Sequence, residues 1–124
     1  MMRILLIEDE FLVAAAVEAT LAHLGYEVVG PASTVRAALI ALAEGTPPDG
    51  AILDLNLRGQ SSLEVAEELN RQGIPFVFAT GYEKDQAVGR RFPAAHWLRK
   101  PFTDVQIGDA LADIGLTPEH GAVT

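Results

Sequence analysis

The sequence predicts an α/β fold, a doubly wound (βα)5 domain whose five parallel strands follow the flavodoxin-like order 2-1-3-4-5. Two observations predict it. Short, almost continuous apolar runs alternate along the chain with segments of helical periodicity, which is typical of parallel strands covered on both faces. Polar or charged residues directly follow four of these runs. In this order the four strands are neighbours, so their carboxyl ends share one edge of the sheet.

The predicted elements alternate between strand and helix. The five predicted strands are residues 4–7, 26–29, 51–53, 74–79 and 95–98. After the first strand, apolar residues recur on one helix face, at Val13, Val17, Leu21 and Leu24. Gly25 ends this helix in the usual C-terminal manner, and Ser33 or Thr34 can cap the second helix. The polar, weakly periodic residues 81–92 predict a short or mobile fourth helix.

Two later helices have a capping-box signature at their start. Ser61 and Glu64 have the required spacing and predict where the third helix begins. Thr103 and Gln106 have the same spacing and predict the start of the last helix. In each case the hydroxyl accepts from a backbone N–H and the longer side chain returns to the cap backbone.

Composition and charge restrict the function. At 124 residues, with 49% hydrophobic and 21% charged residues, we expect one globular domain over residues 1–115, a polar tail over 116–124 and no output domain. The net charge of −8 argues against a nucleic-acid surface, which needs clustered Lys and Arg. The chain has no cysteine, no signal-peptide architecture and no apolar run that could span a bilayer. We therefore expect a cytoplasmic protein without membrane insertion.

Chemically active residues follow four predicted strands. They are Glu8-Asp9, Asp54, Thr80 and Lys100. Because parallel strands end at the same edge, three acids, one hydroxyl and one ammonium should converge there. Mg²⁺ prefers oxygen ligands, keeps some of its waters, and is usually held by one or two carboxylates together with phosphate oxygens. The sequence therefore predicts a site that holds Mg²⁺ and a phosphoryl group together.

The metal ligands can be assigned by residue type. Asp9 and Asp54 are suited to direct ligation, and Glu8 to holding a metal-bound water. Asn56, two residues beyond Asp54, could contribute its backbone carbonyl. Asp54 could also act as a nucleophile that attacks phosphorus and forms an aspartyl phosphate.

Lys100 and Thr80 are suited to the phosphoryl group, as a positive charge and a hydroxyl donor. Each site residue taken alone has an ordinary explanation, since acids cap helices, Thr favours strands and Lys is usually exposed. The occurrence of all four clusters at the correct ends of adjacent strands favours the functional interpretation.

Two aromatic residues allow two interpretations. Trp97 either packs on the fifth strand or changes rotamer when Thr80 is drawn towards a phosphate. Tyr82 is either a loop aromatic or part of this switch at the mouth of the site. The three histidines have no metal-ligand spacing, and they are His23, His96 and His120.

At this point the chain resembles a known family, the receiver domain of bacterial two-component response regulators. The matching segments are residues 5–10 (LLIEDE), 52–59 (ILDLNLRG), 79–81 (ATG) and 98–102 (LRKPF). The resemblance covers residues 3–115. It implies that Asp54 is the phosphoacceptor and that Glu8 and Asp9 form the acidic magnesium pocket. It also implies that Thr80 is the switch hydroxyl, that Lys100 contacts the phosphate, and that the Lys100–Pro101 bond is cis.

Residues 75–82 (PFVFATGY) also resemble the signature of the FATGUY subgroup of single-domain, mainly alphaproteobacterial regulators. Glu83 stands where that signature has a closing aromatic, and Trp97 replaces the Tyr or Phe that is usual in the wider family. The subgroup resemblance implies a sensor kinase of the HWE or a related class. It also agrees with a mobile fourth-helix region.

The expected function is a phosphorylation switch. A histidine kinase or histidine phosphotransfer protein donates its phosphoryl group to Asp54 with Mg²⁺, and a downstream protein partner reads the result. The alternatives are a phosphate shuttle or sink, and a receiver-like module that binds partners without phosphorylation. An aspartyl phosphatase is disfavoured because Asn56 replaces the second acid and the chain is too short for a cap domain. We therefore do not expect an enzyme with turnover on a small substrate.

Overall fold

The computed structural model describes residues 1–81 and 86–118, which form a five-stranded parallel sheet with helices on both faces. In chain order the elements are β1 (Arg3–Ile7), α1 (Phe11–His23), β2 (Glu27–Ala32), α2 (Val35–Ala43), β3 (Gly50–Asp54), β4 (Asn56–Leu57), β5 (Gln60–Ser61), α3 (Leu63–Arg71), β6 (Phe76–Thr80), α4 (Gln86–Arg91), β7 (His96–Arg99) and α5 (Asp104–Asp113). The main sheet has the order β2-β1-β3-β6-β7, and all its pairings are parallel. The predicted fold class and strand order are confirmed.

Alternate residues of each strand point to opposite faces of the sheet and build two separate cores. Leu5, Leu53 and Phe78 face one cluster, which buried residues of α2, α3 and α4 complete. Ile52 and Val77 face the other cluster, which α1 and α5 cover. Because both faces are apolar, the strands read as continuous hydrophobic runs.

Two predicted helix caps are confirmed. Thr34 accepts a hydrogen bond from the Ala37 N–H at 3.0 Å and caps α2. At α5, Thr103 and Gln106 form both hydrogen bonds of the capping box, at 3.1 and 2.8 Å. These contacts satisfy backbone N–H groups that have no partner within the helix.

The predicted capping box at Ser61 and Glu64 is wrong. Helix α3 begins at Leu63, and its N-cap residue, Ser62, makes no side-chain capping bond. Ser61 instead belongs to β5, where it pairs with Asn56 of β4. The hydroxyl of Ser61 still accepts from the Leu63 N–H at 3.2 Å. Ser61 is therefore part of the β4–β5 hairpin and not the N-cap of α3 that the sequence pattern predicted.

Several boundaries differ from those predicted. Strand β2 continues through Gly30–Pro31 to Ala32, where the sequence predicted a stop at residue 29. Gly30 has a φ of 97°, which suits glycine, and its peptide bond to Pro31 is cis. The bond from Lys100 to Pro101 is also cis, as the resemblance implied.

The fourth-helix region is helical over the short segment Gln86–Arg91. Val88 and the following Phe92 are buried in the core beside α3. The short helix is confirmed, whereas its mobility stays a prediction. Tyr82 lies outside the described residues.

Helix α1 is apolar even on its outer side. Phe11 and Leu12 are 82% and 79% exposed, and Ala15 and Ala19 are exposed as well. The helix has 13 residues. Across residues 1–81 and 86–118, no helix combines the length and the apolar character needed to cross a membrane.

Candidate functional site

Three carboxylates meet at the carboxyl edge of the sheet. Glu8 and Asp9 follow β1, Asp54 ends β3, and these two strands are neighbours paired through Ile7 and Leu53. Each carboxylate offers an oxygen, and these oxygens all lie within 4.8 Å of one another. Glu8 and Asp54 are buried, whereas Asp9 is partly exposed. The cluster is thus open to solvent at one side, and it could hold a metal ion.

Lys100 joins two of these carboxylates. Its Nζ lies 2.7 Å from Glu8 Oε1 and 3.1 Å from Asp54 Oδ2. The Lys100 backbone N–H donates to the carbonyl oxygen of Thr80 at 2.8 Å, which continues the β6–β7 pairing beyond the end of β7. The sheet therefore positions the backbone of Lys100, and the two carboxylates position its ammonium group.

Burial and pairing shift the pKa values of the site in different directions. Burial raises the pKa of the Glu8 carboxyl to about 7, although hydrogen bonds from Lys100 and from the Glu10 N–H oppose the shift. Burial alone would lower the pKa of Lys100, but its bonds to Glu8 and Asp54 outweigh that effect and raise the pKa. With its pKa at about 7, the Glu8 carboxyl titrates close to neutral pH.

Asp9 behaves in the opposite way. Its burial is slight and would raise the pKa of its carboxyl, but hydrogen bonding outweighs this effect and lowers the pKa. Among these bonds is the Arg58 N–H, which donates to Asp9 Oδ2 at 3.0 Å. Asp9 is therefore kept as a carboxylate.

A short hairpin, which the sequence reasoning missed, lies over the acidic cluster. Strands β4 and β5 pair antiparallel and are joined by Arg58 and Gly59, both with positive φ, at 50° and 82°. Its backbone donates from Asn56 to Asp54 Oδ1 at 3.2 Å and from Arg58 to Asp9 Oδ2 at 3.0 Å. The signal that could have revealed it is Gly59, a glycine that can occupy the second position of a two-residue turn between Leu57 and Gln60. The carbonyl of Asn56 as a metal ligand stays a prediction.

Thr80 lies beside the acids. It is the last residue of β6 and is 4% exposed, and its neighbour Ala79 pairs with Asp54 across the sheet. The four predicted clusters at Glu8-Asp9, Asp54, Thr80 and Lys100 are therefore brought together at one edge. The roles of the individual residues in phosphoryl transfer stay predictions.

Trp97 packs as the structural interpretation expected. It is partly buried on β7, and its ring stacks on Phe78 with centroids 4.7 Å apart and planes at 27°. A rotamer change of Trp97 stays a prediction. Of the histidines, His23 ends α1 and His96 begins β7, and His120 lies outside the described residues. The group of described residues that could hold a metal ion consists of Glu8, Asp9 and Asp54, and it contains neither His23 nor His96.

The comparison with known families identifies the family of this chain. The family model of the response regulator receiver domain matches residues 4–112. The chain belongs to the response regulator receiver family. It is a receiver domain of two-component signalling, and receivers of this family generally bind Mg²⁺ and interact with kinases or phosphotransfer proteins and with downstream partners.

Individual relatives agree with the family assignment. The receiver is 32% identical over 111 residues to the phyllosphere-induced regulator PhyR of Methylorubrum extorquens, covering 88% of this chain and 42% of that protein. It spans about half the length of the curated relatives it matches.

Two solved structures match over nearly all of their own length. The solution structure of SdrG from Sphingomonas melonis Fr1 is 43% identical, with a TM-score of 0.80 over 92% of this receiver and 96% of that chain. The BeF3-activated conformation of SdrG from Pseudomonas melonis Fr1 is 45% identical, with a TM-score of 0.74 over 89% and 92% of the two chains.

Proposed function

We propose that this receiver works in the cytoplasm as a stand-alone phosphorylation switch in a two-component phosphorelay. In the proposal, residues 1–115 form the receiver domain and residues 116–124 follow it, of which Leu116 is still buried against Gly50. Asp54 accepts a phosphoryl group from the phosphohistidine of a kinase or of a phosphotransfer protein. The convergence of Glu8, Asp9 and Asp54 oxygens within 4.8 Å, with the Lys100 ammonium on two of the acids, carries this proposal.

The transfer step uses the residues in distinct roles. An oxygen of Asp54 attacks phosphorus, the P–N bond to the donor imidazole breaks, and the imidazole leaves with that electron pair. Asp9 and Asp54 would hold Mg²⁺ directly, the Asn56 backbone carbonyl would be a further ligand, and Glu8 would hold a metal-bound water. Bound Mg²⁺ neutralises charge on the moving phosphoryl group.

The phosphoryl group then changes the charge balance around Lys100. Its ammonium, which lies on Asp54 Oδ2, follows the negative charge to a phosphoryl oxygen, and the Thr80 hydroxyl donates to another. Both residues sit at the ends of β6 and β7, so the change reaches the loops there and the face of α4, β7 and α5. Trp97 and Tyr82 are the proposed aromatic parts of this switch. The result is a shift in population between two arrangements.

The partners are proposed from the chemistry of the site and from the resemblance of residues 75–82 to the FATGUY subgroup. A sensor kinase of the HWE or a related class, or a histidine phosphotransfer protein, donates the phosphoryl group. A downstream protein reads the phosphorylated surface. A phosphate shuttle or sink is the second candidate function, because the same acids and ammonium could hold a phosphoryl group or pass it on. A receiver-like module that binds partners without phosphorylation is the remaining alternative.

Intact-mass measurement after incubation with acetyl phosphate tests the proposal. One phosphoryl group should add to the wild type only when Mg²⁺ is present, and Asp54→Asn should add none. Equal stoichiometry on Asp54→Asn would show that another residue is the acceptor. Beryllofluoride binding, followed by NMR, controls for fast hydrolysis, because it needs the same site but no covalent product. Absence of both adduct and beryllofluoride binding favours the phosphorylation-independent module.

A further inference from the structure

The β4–β5 hairpin makes backbone contacts to two of the three carboxylates. The Asn56 N–H donates to Asp54 Oδ1 at 3.2 Å, and the Arg58 N–H donates to Asp9 Oδ2 at 3.0 Å. Asp9 and Arg58 are 49 residues apart in the chain, so the second bond links the loop after β1 to the loop after β3. One small element therefore holds two separate acids relative to each other.

The hairpin is itself firmly anchored. Leu57 is fully buried in the core beneath it. The side-chain oxygen of Asn56 accepts from the Gly59 N–H at 3.0 Å and closes the turn. At the far end, the hydroxyl and the N–H of Ser62 both donate to the carbonyl of Leu55, at 2.9 and 3.0 Å. These contacts hold the hairpin, and with it the Arg58 N–H, in a fixed position.

The direction of that N–H depends on an unusual backbone conformation. Arg58 has a φ of 50°, and it is the one described non-glycine residue with positive φ. Together with Gly59 at 82°, it forms the turn with two positive φ values that a two-residue hairpin favours. Arginine gains nothing from this conformation, which costs most non-glycine residues about 1 kcal/mol or more. The side chain is exposed, so the contact to Asp9 is made by the backbone.

We propose that Arg58 is a positioning residue, whose backbone N–H fixes the separation of Asp9 from Asp54 and thereby makes the site selective for Mg²⁺ over the larger Ca²⁺. This inference rests on the proposed metal site. Mg²⁺ requires near-ideal octahedral geometry, whereas Ca²⁺ accepts more ligands in a flexible arrangement. Hydrogen bonds that orient metal ligands commonly change affinity by an order of magnitude or more. A loosened Asp9 should therefore cost Mg²⁺ more than Ca²⁺.

Two substitutions at position 58 separate the backbone from the side chain. Arg58→Asn and Arg58→Pro lose the same charge, so charge does not distinguish them. Asn keeps the N–H and tolerates positive φ, whereas Pro lacks the N–H and fixes φ near −65°. By calorimetric titration, Arg58→Pro should bind Mg²⁺ about tenfold more weakly than Arg58→Asn, with a smaller difference for Ca²⁺. Equal Mg²⁺ affinities, or equal losses for both cations, would overturn the proposal.

Two further comparisons exclude a purely structural effect. In an Asp9→Asn background the difference between Arg58→Asn and Arg58→Pro should largely vanish, because the effect passes through the Asp9 carboxylate. If Arg58→Pro does not fold, Arg58→Val replaces it, since a β-branched residue keeps the N–H but strongly disfavours positive φ. A difference that persists without the Asp9 carboxylate would also overturn the proposal.

The titrations do not depend on phosphorylation. A wild type that gains a phosphoryl group while the position-58 variants bind Mg²⁺ equally would refute the positioning role alone. A cation-selective loss in a protein that never gains a phosphoryl group would refute the proposed switch alone.

Discussion

The ammonium of Lys100 supplies a positive charge to the site in the absence of a metal. Glu8 and Asp54 are both buried, and two carboxylates in such surroundings repel each other. Lys100 Nζ lies within 3.1 Å of an oxygen of each. A Mg²⁺ ion held as proposed, on Asp54 directly and on Glu8 through a water, would compete with the ammonium for these two carboxylates.

Removal of this ammonium should destabilise the metal-free protein. We expect Lys100→Met to lower the free energy of unfolding by roughly 1–3 kcal/mol, less than for a fully buried pair because water reaches the ammonium. Urea denaturation with and without Mg²⁺ measures the effect. Mg²⁺ should restore more stability in this variant than in the wild type, because it then replaces the missing charge. Arg99→Met removes an exposed neighbouring cation and should show neither effect.

Mg²⁺ affinity should depend on pH through Glu8. Because burial raises the pKa of this carboxyl to about 7, it holds a proton below pH 7 and must release it before it can assist the metal. The apparent affinity should therefore rise with pH up to about 7 and then level off. Asp9, whose pKa is lowered, adds nothing to the slope in this range. Titrations of Glu8→Gln should give a nearly flat profile, and a slope equal to that of the wild type would contradict the role of Glu8.

The sequence was sufficient to predict the residues of the site but not the backbone contact that holds Asp9. Glu8, Asp54 and Lys100 each follow an apolar run, and parallel strands must bring such positions to one edge. The contact from Arg58 to Asp9 depends on a positive φ that an arginine rarely adopts, so residue type gives no warning of it.

At the scale of elements, two capping signatures of the same spacing had different outcomes. Thr103 and Gln106 follow a loop that has no competing use for them, and both form the predicted bonds. Ser61 has the same spacing to Glu64, but its backbone is paired with Asn56 in the hairpin, so the helix starts later. A local pattern predicts a cap only where tertiary pairing leaves the residue available.

The capping box of α5 should contribute measurably to stability. Thr103→Ala removes the acceptor for the Gln106 N–H, and we expect a loss of about 1 kcal/mol in the free energy of unfolding. Val105→Ala, an exposed residue in the same turn, is the matched control and should change stability by much less. Urea denaturation curves compare them. A similar loss in both variants would mean that the cap is not the source.

At the scale of the whole molecule, the chain order of strands and helices was predictable because the central strands are buried on both faces. The contact of Leu116, which follows the last helix, with Tyr26 just before β2 and with Gly50 at the start of β3 was not predictable. Tyr26 donates its buried hydroxyl to the carbonyl of Leu116 at 2.5 Å, across 90 residues of sequence. Leu116 packs so closely on Gly50 that an added Cβ would overlap its Cδ1 atom. No periodicity links these three residues.

This contact predicts non-additive substitutions. Gly50→Ala should cost roughly 1–3 kcal/mol in the free energy of unfolding because Leu116 must move, and Leu116→Ala roughly 2–4 kcal/mol because it empties a buried site. The double variant should lose clearly less than the sum, since the new methyl group then occupies vacated space. A denaturant double-mutant cycle measures this coupling. Strict additivity would show that Leu116 does not meet the new side chain.

The stacked rings of Phe78 and Trp97 have a spectroscopic consequence. The chain contains one tryptophan, so its indole emission comes from a single place, the seam between β6 and β7. That seam ends at Thr80 and Lys100, two residues of the proposed switch. The tryptophan fluorescence of the protein therefore reports whether metal binding or phosphorylation at the carboxyl edge of the sheet changes the packing between β6 and β7. If this fluorescence does not change when Mg²⁺ is added, metal binding leaves the packing of Trp97 on Phe78 unchanged.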